Sequence, residues 1–269
     1  MLRYAASIQY DGAGYHGWQS LKSGLPAVQA ELEAALSKVA NSATRVVCAG
    51  RTDAGVHGCS QIIHFDTDAE RSERSWAYGA NANLPDSIAV NWMQSVSDDF
   101  HARFSALWRR YRYIIYNHNI RPTHLPKGLT WNYWPLDAAK MQEAACYLVG
   151  EHNFNSYRSA RCQAKNPKRT IYHLNVSRHR RLLVIDIKAN AFLQHMVRNI
   201  AGVLMEIGCG KREPSWAKEV LDGRDRKLGG VTSAPCGLYF VDVGYPEKFG
   251  LPYTVLGPEF IAPLLFADT

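Results

Sequence analysis

The segment at residues 49–58 limits how this chain can fold more than any other stretch. It reads AGRTDAGVHG and places an arginine, a threonine, an aspartate and a histidine between glycines. Glycine weakens helices and strands and tolerates the backbone angles of tight turns, so the segment predicts a loop. Short runs rich in β-branched or apolar residues lie on either side, at 44–48 and 60–66. The loop is therefore expected to join two strands and to present Asp53.

The first hundred residues mix strand and helix patterns. Apolar residues at every second position predict a strand over 4–10. Pro26, a residue tolerated in the first turn of a helix, precedes a helical pattern that runs from Val28 to Val39. The other predicted elements here are strands at 44–48, 60–66 and 90–94 and a helix at 70–82.

The rest of the chain shows a similar mixture. The predicted strands lie at 110–117, 170–178, 182–188 and 238–243, and a helix is predicted at 137–148. A further apolar stripe with helical spacing comprises Phe192, Met196, Ile200, Val203, Leu204 and Ile207. This order of elements is typical of two α+β domains with mainly antiparallel sheets. We expect the domains to cover 1–104 and 105–269.

The charge distribution points to a polyanionic partner. The chain of 269 residues has a net charge of +7. Residues 1–100 carry 7 Lys and Arg against 11 Asp and Glu, whereas residues 101–269 carry 24 against 13. A basic half of this kind favours nucleic-acid binding, the alternative being a solvated basic face. The chain has neither an apolar run of roughly 20 residues nor a signal-peptide pattern at its start, so we expect a cytoplasmic protein with no membrane partner.

Cofactor and metal patterns are weak. The sequence GAGYHG at 12–17 matches the dinucleotide-binding pattern, but no helix is predicted to begin directly after it. A structured loop lining a cleft is therefore the better interpretation. His57, His64 and Asp66 do not match a known metal-ligand spacing, and the six cysteines are scattered. We predict no cofactor-binding and no metal-binding residues.

Asp53 is the strongest candidate for a reactive group. An ionised carboxylate on a loop can act as a nucleophile or a general base. The alternative is that Asp53 only caps a helix or closes a turn. A neighbouring arginine would keep the carboxylate ionised, and both Arg51 and the distant Arg198 are available in the sequence.

A tyrosine–arginine strand supplies a candidate surface for RNA. Side chains two apart on a strand share a face, so Tyr111 and Tyr113 are expected to project together, opposite Arg110 and Arg112. Aromatic rings beside basic side chains suit the stacking of an unpaired base and contacts to phosphate. The alternative is a pair of core tyrosines with a solvated basic face. Further basic runs lie at 158–169 and 178–181.

Several motifs taken together resemble the tRNA pseudouridine synthase A family. The resemblance is carried, in order along nearly the whole chain, by YDG at 10–12, GWQ at 17–19, GRTDAGVH at 50–57, ARFSA at 102–106, RYRY at 110–113, Phe192 with MVRN at 196–199, and GLY at 237–239. It implies two α+β domains joined around a central cleft. It also implies isomerisation of uridine to pseudouridine at positions 38, 39 and 40 of the tRNA anticodon stem-loop, without a cofactor, by a homodimer.

The resemblance also assigns roles to four residues. Asp53 corresponds to the essential carboxylate. Tyr111 is expected to stack on a flipped-out base and to help remove its C5 proton. Arg51 is expected to fill the gap that this base leaves, and Arg198 is expected to be the basic partner of Asp53.

Overall fold

The computed structural model describes residues 1–20, 24–252 and 256–261. The chain forms two compact units, Met1–Leu107 with Tyr239–Thr269 and Trp108–Leu238. Both units mix helices with mainly antiparallel strands, as the α+β prediction requires. The functional domains at 1–104 and 105–269 and the central cleft stay predictions. Among the described residues, no helix combines the length and the hydropathy needed to cross a lipid bilayer.

The first unit is built around the long strands β1 and β3. Its strands are β1 (Leu2–Tyr10), β2 (Val47–Cys48), β3 (His57–Thr67), β4 (Ile88–Val96) and β10 (Leu238–Gly244), and its helices are α1 (Val28–Ala40) and α2 (Glu73–Asn81). The strand order is β4-β1-β3-β10. β1 runs antiparallel to both β3 and β4, β2 pairs antiparallel with β3, and β10 runs parallel to β3. The Asp53 loop thus connects two paired strands, as predicted.

Aromatic rings fill the core of the first unit. Tyr4 on β1 stacks on Phe65 of β3 with ring centroids 5.7 Å apart, and Trp76 of α2 lies 5.1 Å from Phe65. Leu32 and Leu36 of α1 belong to the same buried cluster. Burying side chains of this size removes a large apolar area from water, which fixes the strands that flank the loop.

The second unit contains a sheet with three helices. Its strands are β5 (Trp108–Asn117), β6 (Thr130–Asn132), β7 (Gly150–Asn153), β8 (Lys168–His179) and β9 (Leu182–Ala189), and its helices are α3 (Ala138–Cys146), α4 (Met196–Gly208) and α5 (Trp216–Gly223). The order β5-β9-β8-β7 is antiparallel throughout, and β6 lies parallel to β5. The strands predicted at 170–178 and 182–188 are confirmed as β8 and β9, which a short turn joins into an antiparallel hairpin.

Two predicted elements are shorter than expected, for local reasons. The strand predicted at 44–48 is reduced to Val47–Cys48, because Thr44 and Val46 donate their N–H groups to the Ser37 and Glu33 side chains of α1. The helical stripe that includes Phe192 begins only at Met196, since His195 takes a left-handed conformation with φ of 63° at the cap. Phe192 therefore lies before α4 and not on it.

Candidate active site

The Asp53 loop is a tight turn leading directly into β3. The N–H of Val56 donates to the carbonyl of Asp53 over 3.1 Å, and Gly55 between them has a φ of +76°. The next element is a strand, so Asp53 does not cap a helix. The Asp53 side chain is half-buried, and Arg51 on the same loop is exposed.

Buried polar side chains hold the backbone on the N-terminal side of Asp53. The hydroxyl groups of Tyr10 and Thr52 lie 2.8 Å apart, and burial raises the pKa of Tyr10. Gln61, which is fully buried on β3, accepts from the N–H of Gly50 over 3.2 Å and donates to the carbonyl of the same residue. Because an unpaired buried polar group is costly, these bonds fix the loop in one geometry. Gln61 was not among the predicted site residues, although a polar glutamine beside the apolar residues of a strand was a usable signal.

The GAGYHG segment packs against this loop. A Cβ on Gly12 would lie 1.9 Å from the carbonyl oxygen of Val56. Gly17 has a φ of +102°, and a Cβ there would lie 2.9 Å from the carbonyl oxygen of Thr52. The N–H of Trp18 donates to that carbonyl over 3.0 Å. These glycines permit close approach to the Asp53 loop. The segment itself contains a short 3-10 helix at Gly12–Gly14, and the next α-helix among the described residues, α1, begins only at Val28. No helix therefore opens directly after the glycines, as a dinucleotide site requires.

His57 links the two loops. Its Nδ1 lies 3.1 Å from the backbone nitrogen of Gly12 and 3.0 Å from a carboxylate oxygen of Asp11. An unprotonated Nδ1 accepts from Gly12, whereas a protonated one donates to Asp11. The ring stacks on Tyr239 with a centroid distance of 4.6 Å. His57 therefore hydrogen-bonds and packs between the Asp53 loop and the GAGYHG segment.

Tyr111 and Tyr113 lie on β5 of the second unit, where they have different environments. Tyr113 is fully buried, and its hydroxyl donates to the carbonyl of Ala234 over 2.9 Å and accepts from Thr130 over 2.7 Å. Burial raises the pKa of Tyr113. Tyr111 is 8% exposed and meets Phe192 edge to face, with centroids 4.9 Å apart. The interpretation as core tyrosines therefore fits both side chains, although Tyr111, unlike Tyr113, keeps a small exposed fraction.

The two arginines flanking Tyr111 do not form a solvated basic face, which corrects one interpretation of this strand. Arg110 donates to both carboxylate oxygens of Asp186 over 2.6 and 2.8 Å, and Arg112 donates to the same group over 2.9 Å. Arg112 is only 4% exposed. Because these cations are paired within the sheet, they contribute to its stability and are poor candidates for phosphate contacts.

Arg198 is the third residue of α4 and is half-buried. Its Nε donates to the carbonyl of Ser233 over 2.8 Å, and the N–H of Ser233 donates back to the carbonyl of Arg198 over 3.2 Å. This reciprocal pair anchors the guanidinium beside the segment that also holds Tyr113. Asp53 and Arg51 thus share a loop of the first unit, whereas Tyr111 and Arg198 belong to the second.

The basic β8–β9 turn contains one structural arginine. Arg178 donates to the side-chain oxygen of Asn117 over 3.0 Å and to the carbonyl of Leu136. Arg180 forms the turn with a φ of 56°, and Arg181 lies 3.4 Å from the Tyr116 hydroxyl. Arg178 therefore braces neighbouring segments, so phosphate contacts are better sought at Arg180 and Arg181.

Comparison with known proteins identifies the family. The family model described as tRNA pseudouridine synthase matches residues 6–105 and 144–246 of this chain. A protein of Alcanivorax borkumensis named tRNA pseudouridine synthase A is 56% identical, over 99% of this chain and all of that protein. A protein of the same name from Coxiella burnetii is 55% identical, and the match covers 97% of this chain and all of that protein. Another from Pseudomonas aeruginosa is 56% identical, and the match covers 97% of this chain and 92% of that protein. The chain belongs to the tRNA pseudouridine synthase family.

Proposed function

We propose that this enzyme isomerises uridine to pseudouridine at positions 38, 39 and 40 of the tRNA anticodon stem-loop, with Asp53 as the catalytic carboxylate. Family membership supplies the reaction class, uridine to pseudouridine in tRNA. The anticodon positions, the residue roles, a homodimeric state and a cytoplasmic location are the proposed additions.

The loop geometry is the observation that supports Asp53 most strongly. A half-buried carboxylate lies in a tight turn, and the preceding residues are held by Tyr10 and Gln61. Catalytic groups work best when supporting residues hold them in position before the substrate binds. A carboxylate that served only as a surface charge would not need a fully buried glutamine to fix its backbone.

The reaction requires only a rearrangement within the nucleotide. The N1–C1′ bond breaks, the base turns over, a C5–C1′ bond forms, C5 loses its proton and N1 gains one. Because no electrons or groups enter or leave apart from protons, an acid–base carboxylate suffices and we propose no cofactor. Asp53 attacks the sugar, attacks the base or removes the 2′ proton to give a glycal, and these three routes remain alternatives.

The other proposed site residues bind the flipped-out base, occupy the gap that it leaves, or pair with the Asp53 carboxylate. A base inside a stem must be flipped out, which costs a few kcal/mol. We assign Tyr111 to stacking on that base and to assisting removal of its C5 proton. Arg51, which is exposed on the same loop as Asp53, is assigned to the gap in the stack. Arg198 is assigned as the basic partner of the Asp53 carboxylate.

Two rival functions make different predictions. An RNA-binding protein that keeps the fold without the chemistry would bind tRNA but release no proton from C5. A related synthase with another target would release that proton, but not from positions 38–40.

Tritium release from tRNA labelled at C5 of uridine tests the catalytic claim. Wild-type enzyme should release tritium, and Asp53→Asn should not. Asp68→Asn is the matched control, because it removes one charge from an exposed carboxylate of the same unit. Absence of release by the wild type would refute catalysis. Mapping pseudouridine in tRNA from a deletion strain tests the site, and unchanged positions 38–40 would refute the regional assignment.

A further inference from the structure

The segment at 101–105 holds an exposed phenylalanine on a fixed loop. Phe104 is 76% exposed, which makes it the most exposed aromatic side chain among the residues that the structure describes. An exposed phenylalanine ring buries little apolar area, so it adds little to the stability of the fold. A single exposed apolar residue is ordinary on a protein surface, so its significance depends on how the ring is held.

Side chains accept hydrogen bonds from the backbone N–H groups of residues 101–104 in this loop. Nδ1 of His101 accepts from the N–H groups of Arg103 and Phe104 over 3.2 and 3.1 Å. The N–H of Ala102 donates to Nδ1 of His64 over 3.1 Å, and the hydroxyl of Ser105 accepts from the N–H of His101 over 3.0 Å. Since each amide has a partner with good geometry, the loop is preorganised.

Two histidine rings support the Phe104 ring, the first stacked against it and the second tilted against the first. The Phe104 ring lies 4.3 Å from His101 at an interplanar angle of 28°, and His101 lies 4.7 Å from His64. The guanidinium carbon of Arg103 lies 5.6 Å from the centre of the Phe104 ring. Burial lowers the pKa of His64 to about 4 and also lowers that of His101, so both rings are neutral acceptors at pH 7. Arg103 and Phe104, held on His101, are called the Phe104 platform below.

The Phe104 platform lies near the Asp53 loop within the first unit. Its anchor His64 is paired across the sheet with Val47, and the next pair joins Ile63 to Cys48. Cys48 lies five residues before Asp53 in the sequence. The anchor of the platform is therefore held by the strand that leads into the Asp53 loop.

We propose that the Phe104 platform is an RNA contact of its own, in which Phe104 stacks on an unpaired base of the substrate strand and Arg103 lies against the phosphate backbone. This proposal rests on the tRNA substrate of the proposed function. An aromatic ring beside a guanidinium is the combination that binds unpaired bases with little sequence preference. The immediate neighbours of the ring are an arginine and an imidazole, which suit a nucleotide better than the apolar core of a protein interface.

Binding of an unmodified tRNA transcript at fixed salt concentration tests the proposal. Loss of one base–aromatic stack weakens binding by roughly 5- to 150-fold, so Phe104→Ala and Phe104→Leu should both raise Kd within that range. Leucine keeps the apolar bulk and removes only the π face. Phe104→Trp should keep Kd within about threefold of wild type, because a tryptophan ring stacks equally well.

Tyr78→Leu is the matched control. Tyr78 is 68% exposed on α2 and has the guanidinium carbon of Arg74 5.2 Å from its ring centre, so it reproduces the local chemistry at another place in the same unit. Its replacement should leave Kd unchanged. An equal loss of affinity in Tyr78→Leu and Phe104→Leu would overturn the proposal, because the effect would then not depend on position.

Two further outcomes would overturn the proposal while leaving the proposed function intact. One is wild-type affinity in Phe104→Leu from an enzyme that releases tritium normally. The other is a change of molecular mass in sedimentation for Phe104→Ala, which would assign the ring to a protein–protein interface. A wild-type enzyme that releases no tritium would instead refute the proposed function itself.

Discussion

Asp186→Asn is expected to destabilise the second compact unit by about 3–5 kcal/mol, the cost of breaking a buried ion pair. The carboxylate accepts three hydrogen bonds of 2.6 to 2.9 Å from Arg110 and Arg112. Hydrogen bonds to charged groups contribute about 1.5–3 kcal/mol each. Asparagine keeps the size and one oxygen but removes the charge, so the buried guanidinium of Arg112 loses its counter-ion. Since Tyr111 lies between these arginines on β5, its position should also be disturbed.

The same network predicts a dependence on pH. Burial alone would raise the pKa of Asp186. The close contact with His173, whose Nε2 lies 3.4 Å from the carboxylate, and the hydrogen bonds and charge of Arg110 bring this pKa well below its ordinary value of 3.8. A carboxyl whose pKa is lowered by folding stabilises the protein above its unfolded pKa. The stabilisation should therefore be constant from pH 8 to about pH 5 and should fall only below about pH 4. The stability difference between wild type and Asp186→Asn should shrink over that acidic range.

Thermal unfolding followed by circular dichroism checks this prediction. A loss of 3–5 kcal/mol corresponds to a fall in Tm of roughly 6–20 °C for a chain of this size. Asp222→Asn is the control, because its carboxylate is 61% exposed and pairs with Lys218 one helical turn away. That change should lower Tm by no more than about 2 °C. A Tm for Asp186→Asn within 2 °C of wild type at pH 7 would refute the argument.

Three further predictions concern the loop and the basic turn. Gln61→Met should lower kcat for tritium release by roughly tenfold with little change in KM, because it frees the backbone before Asp53, the proposed catalytic carboxylate. An unchanged kcat would contradict this role. Gly12→Ala should lower Tm clearly, since the added Cβ would meet the carbonyl oxygen of Val56. Gly14→Ala should not, because the space around Gly14 is open. Equal Tm values for the two variants would argue against the close packing of Gly12 on the Asp53 loop. Arg178→Gln should lower Tm. Arg181→Gln should instead reduce by about one the slope of the logarithm of the tRNA binding constant against the logarithm of the salt concentration. An unchanged slope would mean that Arg181 is a solvated residue that does not contact phosphate.

Much of the fold follows from local patterns in the sequence. The alternation over 4–10 and the apolar stripe of α4 predicted β1 and most of α4, because these elements have one dominant period. The short strands β6 and β7 were missed since three or four residues do not establish a period. The helix α5 was also missed, its eight residues giving only about two turns of pattern.

The candidate site also has parts that local sequence patterns predict and parts that depend on contacts between distant residues. The glycine pattern around Asp53 was visible in the sequence because closely spaced glycines interrupt the helical and the strand periodicity alike. The partners of Arg110 and Arg112 were not, because only the β5–β9 register places Asp186 opposite Arg112. An aspartate within the apolar strand β9 was nevertheless a signal that a buried cation lay nearby. Gln61 was overlooked for a similar reason, since its role depends on what the neighbouring loop leaves unpaired.

Tritium release by Asp53→Asn tests the central claim most directly. The substitution removes the charge of one half-buried carboxylate and keeps its size. We expect tRNA affinity to stay close to that of wild type while tritium release falls to background. Substantial release by Asp53→Asn, at a rate comparable to that of the Asp68→Asn control, would contradict the assignment of Asp53 as the group that starts the cleavage of the glycosidic bond.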